Sequence, residues 1–209
     1  MGEIEAPEST PFHLTALDRQ LLAMNDEEFV AHDWDNLRDI IARNDLAALK
    51  RKPSDLRRYL AWSADVKAQY GSIMNYICQH RLQWPINGPI SNNRPFADPE
   101  DYRILRNDWP YGLGPGISHL VVWLRTPIAI KSDEGHLTDE SRALIEDFVR
   151  NKFVARLAED VGRFPNPESH VLWFKNWVGL QSVRALEHVH VLVRDVPEDI
   201  LYEWSGERR

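Results

Sequence analysis

The stretch Glu187-His188-Val189-His190-Val191-Leu192-Val193-Arg194 constrains the fold of this chain more than any other. Apolar, β-branched residues alternate with polar ones, which is the period of a half-buried β-strand. Residues two apart on a strand share a face. His188 and His190 therefore project side by side, while Val189, Val191 and Val193 turn the other way into a core. Two imidazoles on one face of a rigid strand suit three tasks: a nucleophile pair, a metal clamp or a phosphate cradle. Gln181, Ser182 and Arg184 upstream, with Glu187 and Arg194 beside the pair, add hydrogen-bonding groups biased toward an anion. Glu187 falls on the opposite face of a regular strand, which weakens it as a third metal ligand.

A strand of this kind needs partners, and the last hundred residues supply them. Tyr102–Arg106 and Ile117–Leu124 read as strands on either side of a turn-rich stretch, Asn107 to Gly116. Thr138 caps a helix whose first turn carries Asp139 and Glu140 and whose stripe is Leu144, Ile145, Phe148, Val149, Phe153 and Leu157. His170–Phe174 reads as a further strand. The order strand, strand, helix, strand, strand predicts an α+β domain: an antiparallel sheet with one helix packed on a face.

Before residue 85 the period is helical. Leu17, Leu21 and Leu22 form one short stripe, and Trp34, Leu37, Ile40 and Ile41 a second. Pro53-Ser54-Asp55 opens a long helix whose stripe runs from Leu56 and Tyr59 through Tyr70 and Ile73 to Cys78, ended by Trp84-Pro85. Residues 1–12 read as a disordered tail, 13–84 as a helical region, 85–100 as a Pro-rich loop, 101–204 as the α+β domain and 205–209 as a tail.

Charge narrows the functional classes. The formal net charge of -7 lacks the basic footprint of a nucleic-acid binder. No apolar run is long enough to span a bilayer, and the acidic start is unlike a signal peptide. Cys78 is the one cysteine, set in an apolar stripe, so it reads as a small buried hydrophobe in a reducing, cytoplasmic compartment. The eight tryptophans can line an aromatic pocket or simply fill cores and rims. His119, in mid-strand, reads as a satisfied structural histidine, and Lys50-Arg51-Lys52 and Arg57-Arg58 as solvated helix ends.

Two resemblances add to this. Asn107-Asp108-Trp109-Pro110-Tyr111, His119 to Arg125, and Asn176 to Val183 followed by His188-Val189-His190-Val191-Leu192 resemble the corresponding blocks of the histidine-triad and galactose-1-phosphate uridylyltransferase-like superfamily. That resemblance covers about residues 102–195 and implies a histidine-triad-like fold. It makes His188 the nucleophile toward an α-phosphorus, giving a covalent nucleotidyl-imidazole, and His190 its phosphate-contacting partner. Gln181 and Ser182 would hold phosphate oxygens, Asn107 or Asp108 would sit near ribose hydroxyls, and His119 and Arg125 would stand near the substrate. Leu186 occupies the position of that superfamily's first triad histidine, and Leu180 that of a glycine.

The second resemblance runs through most of the chain. Leu49-x-Arg51-x-Pro53-x-Asp55-Leu56-x-x-Tyr59, Asn107 to Tyr111, Val122-Trp123 and Leu186 to Val191 are similar to the fungal N-acetylglucosamine-induced protein 1 family, a family of unknown function. It implies a fungal, intracellular setting and no catalytic residues. The partner expected is a small-molecule ligand, phosphorylated on the superfamily reading. No cofactor or resident metal, no nucleic acid and no membrane is expected, and a homodimer is left open. Two functional readings stand: phosphoryl or nucleotidyl transfer or hydrolysis through His188, and a metabolite enzyme or binding protein using His188 and His190 as acid–base or metal-ligand pair.

Overall fold

Four segments with strand periodicity become four strands. In the computed structural model they are β1 (Tyr102–Arg106), β2 (Ile117–Leu124), β3 (Val171–Phe174) and β4 (Glu187–Arg194), paired antiparallel in the order β1-β2-β4-β3. The structure describes residues 14–86, 94–131, 135–177, 180, 181, 183 and 186–208. The expected tail at 1–12, residues 87–93 of the Pro-rich loop, Ser182 and Arg184 lie outside the described residues. The histidine strand is central rather than at an edge. Trp123 of β2 stands opposite His188, Val121 opposite His190 and His119 opposite Leu192, so these side chains share one face.

The other face carries Leu120, Val122, Leu124, Val189, Val191 and Val193, all with almost no exposure. Helices α5 (Asp139–Val149), α6 (Ala155–Ala158) and α7 (Glu198–Ser205) pack on it through Ile145, Val149, Phe153, Leu157, Ile200, Leu201 and Trp204. Thr138 accepts a hydrogen bond from the Ser141 N–H and caps α5 as its sequence predicts. Between α5 and α6 the helix widens into one π-type turn, Arg150–Val154, which turns Phe153 fully inward against Trp204. Each such buried aromatic or aliphatic side chain stabilises the fold by about 2 kcal/mol relative to exposure.

One helix on one face is therefore too few. The N-terminal third forms α1 (Ala16–Ala23), α2 (Trp34–Ala42), α3 (Pro53–Tyr70) and α4 (Ile73–Tyr76), the last running on as a π-type segment, Ile77–Leu82. These cover the histidine face. Val66, Ile73, Ile77 and Leu82 pack on Leu105, Val121 and Trp123. Trp34, Leu37 and Ile40 pack on Phe174 and Leu192. The physical reason is that both faces of β2 are apolar, so neither can be left in water. A third apolar group, Leu14, Leu21, Leu56 and Leu60, ties α1 to α3.

The long helix is broken where one run to Cys78 was expected. Gly71 adopts φ 79°, a left-handed conformation that closes α3, and Ser72 caps α4 afresh by accepting from the Asn75 N–H. The first turn of α3 is capped from a distance. Asp26 accepts from the Ser54 N–H (2.9 Å) and hydroxyl (2.7 Å) and pairs with Lys52 (2.9 Å), so its carboxyl is held down at about 2.

Short strand-like contacts stitch the N-terminal third to the loop before β2. His32 N–H donates to the Gly112 carbonyl (2.8 Å), Gly114 N–H to His32 (2.8 Å), and Gly112 N–H to Lys50 (2.9 Å). Gly112 runs so close to Phe29 that an added Cβ would overlap its ring. At the C-terminal end, Glu207 accepts from the Arg106 N–H (2.9 Å) and from Arg81 (2.5 Å), so this segment is anchored to β1.

Candidate active site

His188 lies near the middle of the covered face, with its ring 4.8 Å from the Trp123 indole. Its Nδ1 is 2.9 Å from the Leu186 carbonyl oxygen. A carbonyl only accepts, so Nδ1 carries the proton and Nε2 holds the lone pair. No hydrogen bond to Nε2 is found among the described residues. Leu186, standing where a third histidine was sought, thus contributes its backbone rather than its side chain.

His190 differs. Its Nε2 is 3.3 Å from Asn176 Nδ2, an amide donor, and its Nδ1 is 2.9 Å from His119 Nε2. That assignment makes Nε2 an acceptor and Nδ1–H the donor to His119. The ring stacks on Phe174 at 4.8 Å and 15°. With both nitrogens engaged and one face covered, His190 is a bridge between neighbours. His119 stacks on Tyr111 (5.5 Å, 16°), and Asn107 Nδ2 reaches its ring edge at 3.3 Å. Asn107 is itself oriented by the Trp109 N–H, which donates to its Oδ1 (2.9 Å).

All three imidazoles are buried, with 5%, 5% and 7% exposure at His119, His188 and His190. Loss of water disfavours their charged forms first. His119 is pushed down to about 3 and His188 to about 4, and His190 well below the ordinary histidine value. The backbone bond to Leu186 partly opposes this at His188, whereas the Lys175 charge adds to it. The Arg51 charge adds to it at His119, and neighbouring imidazoles together with Arg51 and Lys175 add to it at His190. At neutral pH the cluster is three neutral imidazoles, one with an open lone pair.

That lone pair belongs to a residue lining a small cavity of about 80 Å³. Its wall is aromatic: Tyr59, Trp62 and Trp109 lie within 5.3–6.0 Å of one another, and Trp123 closes the sheet side. Arg51 completes the lining beside His188 and His190. A wider cleft of about 530 Å³ adjoins it, sharing Arg106 and Asn107 and adding Tyr111, His119, Lys52 and Asp26.

Other residues expected at the site fall at varied distances from this chemistry. Asp108 lines the cavity but binds Arg81 (2.8 and 3.0 Å). Gln181 is buried and donates to the Asn176 carbonyl (2.7 Å), so it supports Asn176 rather than lining the cavity. Arg125 follows the end of β2, with its N–H donating to the Asp101 carbonyl, and does not line the cavity. Ser182 lies outside the described residues. Cys78 is buried in the helical layer, where burial pushes its thiol up.

Among the described residues, no group of three or more His, Cys, Asp or Glu is placed to hold a metal ion. Glu187 faces away from the histidines and pairs with Lys175 at 3.1 Å.

Sequence reasoning missed the contribution of the N-terminal third. Arg51, read as a solvated helix end, lies over the Tyr59 ring (4.6 Å) and the Tyr111 ring (5.0 Å) and donates to the Trp109 carbonyl (3.3 Å). The available signal was Tyr59 with Trp62, polar-tipped aromatics three residues apart at the start of a long helix. Asn176, which positions His190, lies in a motif whose resemblance assigns it no role.

Comparison with known proteins places this geometry among relatives. The family described as "Protein of unknown function (DUF3605)" matches residues 33–194. N-acetylglucosamine-induced protein 1 of Candida albicans is 28% identical over 189 residues, covering 81% of this chain and 71% of that protein. The uncharacterized protein YPL067C of Saccharomyces cerevisiae is 28% identical over 180 residues, covering 85% of this chain and 86% of that protein. A crystal structure of a protein named HTC1 superposes with a TM-score of 0.61 at 28% identity, over 80% of this chain and 86% of that one. No helix among the described residues is long and apolar enough to cross a membrane.

Proposed function

This chain belongs to the DUF3605 family, whose description carries no activity, and from the site itself we propose a small-molecule enzyme that uses His188 as its nucleophile. The reaction class is phosphoryl or nucleotidyl transfer or hydrolysis. One observation carries this: His188 holds its proton on Nδ1 against the Leu186 carbonyl, leaving a neutral Nε2 without a hydrogen-bond partner among the described residues, beside a cavity. A neutral imidazole with an open nitrogen needs no deprotonation before attack.

The Nε2 lone pair attacks phosphorus and a phosphorus–nitrogen bond forms. The bond from phosphorus to the leaving oxygen breaks, and that oxygen keeps the electron pair and takes a proton from water. A second water or an acceptor hydroxyl then attacks phosphorus, loses its proton, and releases the imidazole. The Asn176–His190–His119 chain fixes the ring next to the nucleophile. A cavity of about 80 Å³ is below the several hundred Å³ typical of ligand pockets. We assign to it the reacting group and the part of the substrate that meets the aromatic wall, and to the adjoining cleft beyond Asn107 whatever exceeds it. The finer histidine-triad-like assignment of the fold and a cytoplasmic setting belong to the same proposal, the latter supported by the single buried cysteine.

The test is intact-mass spectrometry at neutral pH after incubation with nucleotide and phosphate-ester substrates. The proposal expects a mass gain on His188 and turnover that His188→Ala abolishes. Full turnover in that variant would overturn it.

A second reading rests on the three neutral imidazoles: a metabolite enzyme using them in acid–base chemistry. Turnover of a substrate without phosphorus, lost in His188→Ala with no adduct at any time point, would favour it.

A further inference from the structure

Among the described residues, the basic side chains lining the cavity or paired beside the histidines are matched by acids, with one exception. Arg81 is held by Asp108 (2.8 and 3.0 Å) and Glu207 (2.5 Å), Arg106 by Glu198 (2.6 Å), and Lys175 by Glu187 (3.1 Å). Arg51 has no carboxylate partner among the described residues. Its Nε donates to the Trp109 carbonyl (3.3 Å), and its guanidinium lies over the Tyr59 and Tyr111 rings (4.6 and 5.0 Å). Three contacts therefore hold the cation in one place, and among the described residues its two terminal nitrogens have no hydrogen-bond acceptor. It lines the same cavity as His188 and His190, and its charge acts on both His119 and His190.

A planar guanidinium presents paired N–H donors matched to two oxygens of an oxyanion. It keeps its charge at any physiological pH. Because Arg81, Arg106 and Lys175 already have acidic partners, Arg51 is the cation with charge to offer among the described residues of the site, and one charge is matched by one. The rings holding it are continuous with the Tyr59, Trp62 and Trp109 wall. Aromatic walls of this kind bind planar apolar groups by stacking.

We infer that Arg51 is the anion-binding residue of the histidine cavity, selecting ligands that join a singly charged oxyanion, a carboxylate or a phosphodiester, to a planar apolar group packed on Tyr59, Trp62 and Trp109. This deepens the proposed function by naming a ligand class. The binding itself requires no chemistry at His188, so it survives if no adduct forms there.

The test measures binding to the full chain by thermal shift and by titrating the side-chain ¹⁵N signal of Arg51. Four probes separate the chemistries: benzoate, methyl phenyl phosphate, doubly charged phenyl phosphate and neutral benzamide. Benzoate or methyl phenyl phosphate should raise Tm and move the Arg51 signal, and which of the two does so identifies the oxyanion. Phenyl phosphate should bind more weakly and benzamide should do neither. Arg51→Gln should weaken binding of the preferred probe about tenfold or more. Arg51→Lys should recover part of it. If Arg51→Gln does not fold, the wild-type Arg51 signal still decides. An unshifted Arg51 signal with every probe, equal binding in Arg51→Gln, or preference for phenyl phosphate or benzamide would overturn the inference.

Discussion

His119 Nε2 lies 2.9 Å from His190 Nδ1, inside a layer where each imidazole is stacked on an aromatic ring. Burial makes that contact consequential, because a ring nitrogen deprived of its partner here has little water to replace it. His119→Phe should cost about 1–3 kcal/mol by leaving the His190 Nδ1–H without an acceptor. Adding His190→Phe should cost less than the sum of the single changes, since the orphaned donor is then gone. Urea denaturation of the two single variants and the double variant measures this, and strict additivity would deny the coupling.

Acid should unfold the protein early. The unfolded histidines titrate at the ordinary value of 6.5, whereas folded His188 stays neutral to about 4 and folded His119 to about 3. Below 6.5 the unfolded chain therefore binds more protons than the folded one. Stability is complete above that value and falls as pH drops through the window down to the folded values, by about 1.4 kcal/mol per pH unit for each such histidine. Between neutral pH and about pH 5 most carboxylates remain charged, so the loss reports the histidines. A urea midpoint flat across this interval would mean that the rings titrate freely in the folded protein.

Lys175 should tune His188 without touching it chemically. Its side chain is 5% exposed and paired with Glu187, and its charge helps to hold the His188 pKa down. Lys175→Met should raise the His188 pKa, read by NMR of the ring protons. The variant should also lose about 2–3 kcal/mol through the uncompensated Glu187 carboxylate. An unchanged His188 titration would show the charge to be screened.

Core packing gives a control far from the histidines. Phe153 is wholly buried against Trp204 (4.8 Å). Phe153→Ala should cost about 3–5 kcal/mol. Val161→Ser, at a side chain 70% exposed, should stay within about 0.5 kcal/mol.

The crossing at Gly112 should tolerate no side chain without movement. Gly112→Ala forces Phe29 aside and presses on the Lys50–Lys52 segment that carries Arg51. A loss of about 1–3 kcal/mol is expected, together with weaker benzoate or methyl phenyl phosphate binding than in the wild type. Unchanged stability by urea denaturation would show that Phe29 swings away freely.

The strands were legible because each satisfies a local rule. Tyr102–Arg106, Ile117–Leu124 and Glu187–Arg194 begin and end where their periodicity does. The His188–His190 pair was legible for the same reason. The cover on that face was not anticipated, although Leu120 to Leu124 is apolar without interruption, the mark of a strand buried on both sides. The break at Gly71 and the helix α7 were not anticipated. A glycine inside an apolar stripe does not announce a left-handed turn, and α7 has only eight residues to display a period. Arg51 was not legible from its own neighbours, because its environment is made by Tyr59, Trp109 and Tyr111, brought together only by the fold.

Asp26 bears on where this protein can be cut. It stands before α2, yet it holds the first turn of α3 by two hydrogen bonds to Ser54 and an ion pair with Lys52. A fragment begun at Asp33 would keep every strand, all three histidines and the whole of α3. It would nevertheless release the start of the helix that carries Tyr59 and Trp62 over them. A unit that keeps this clasp begins upstream of Asp26, and an expression boundary drawn at Asp33 would yield a chain with a loosened roof.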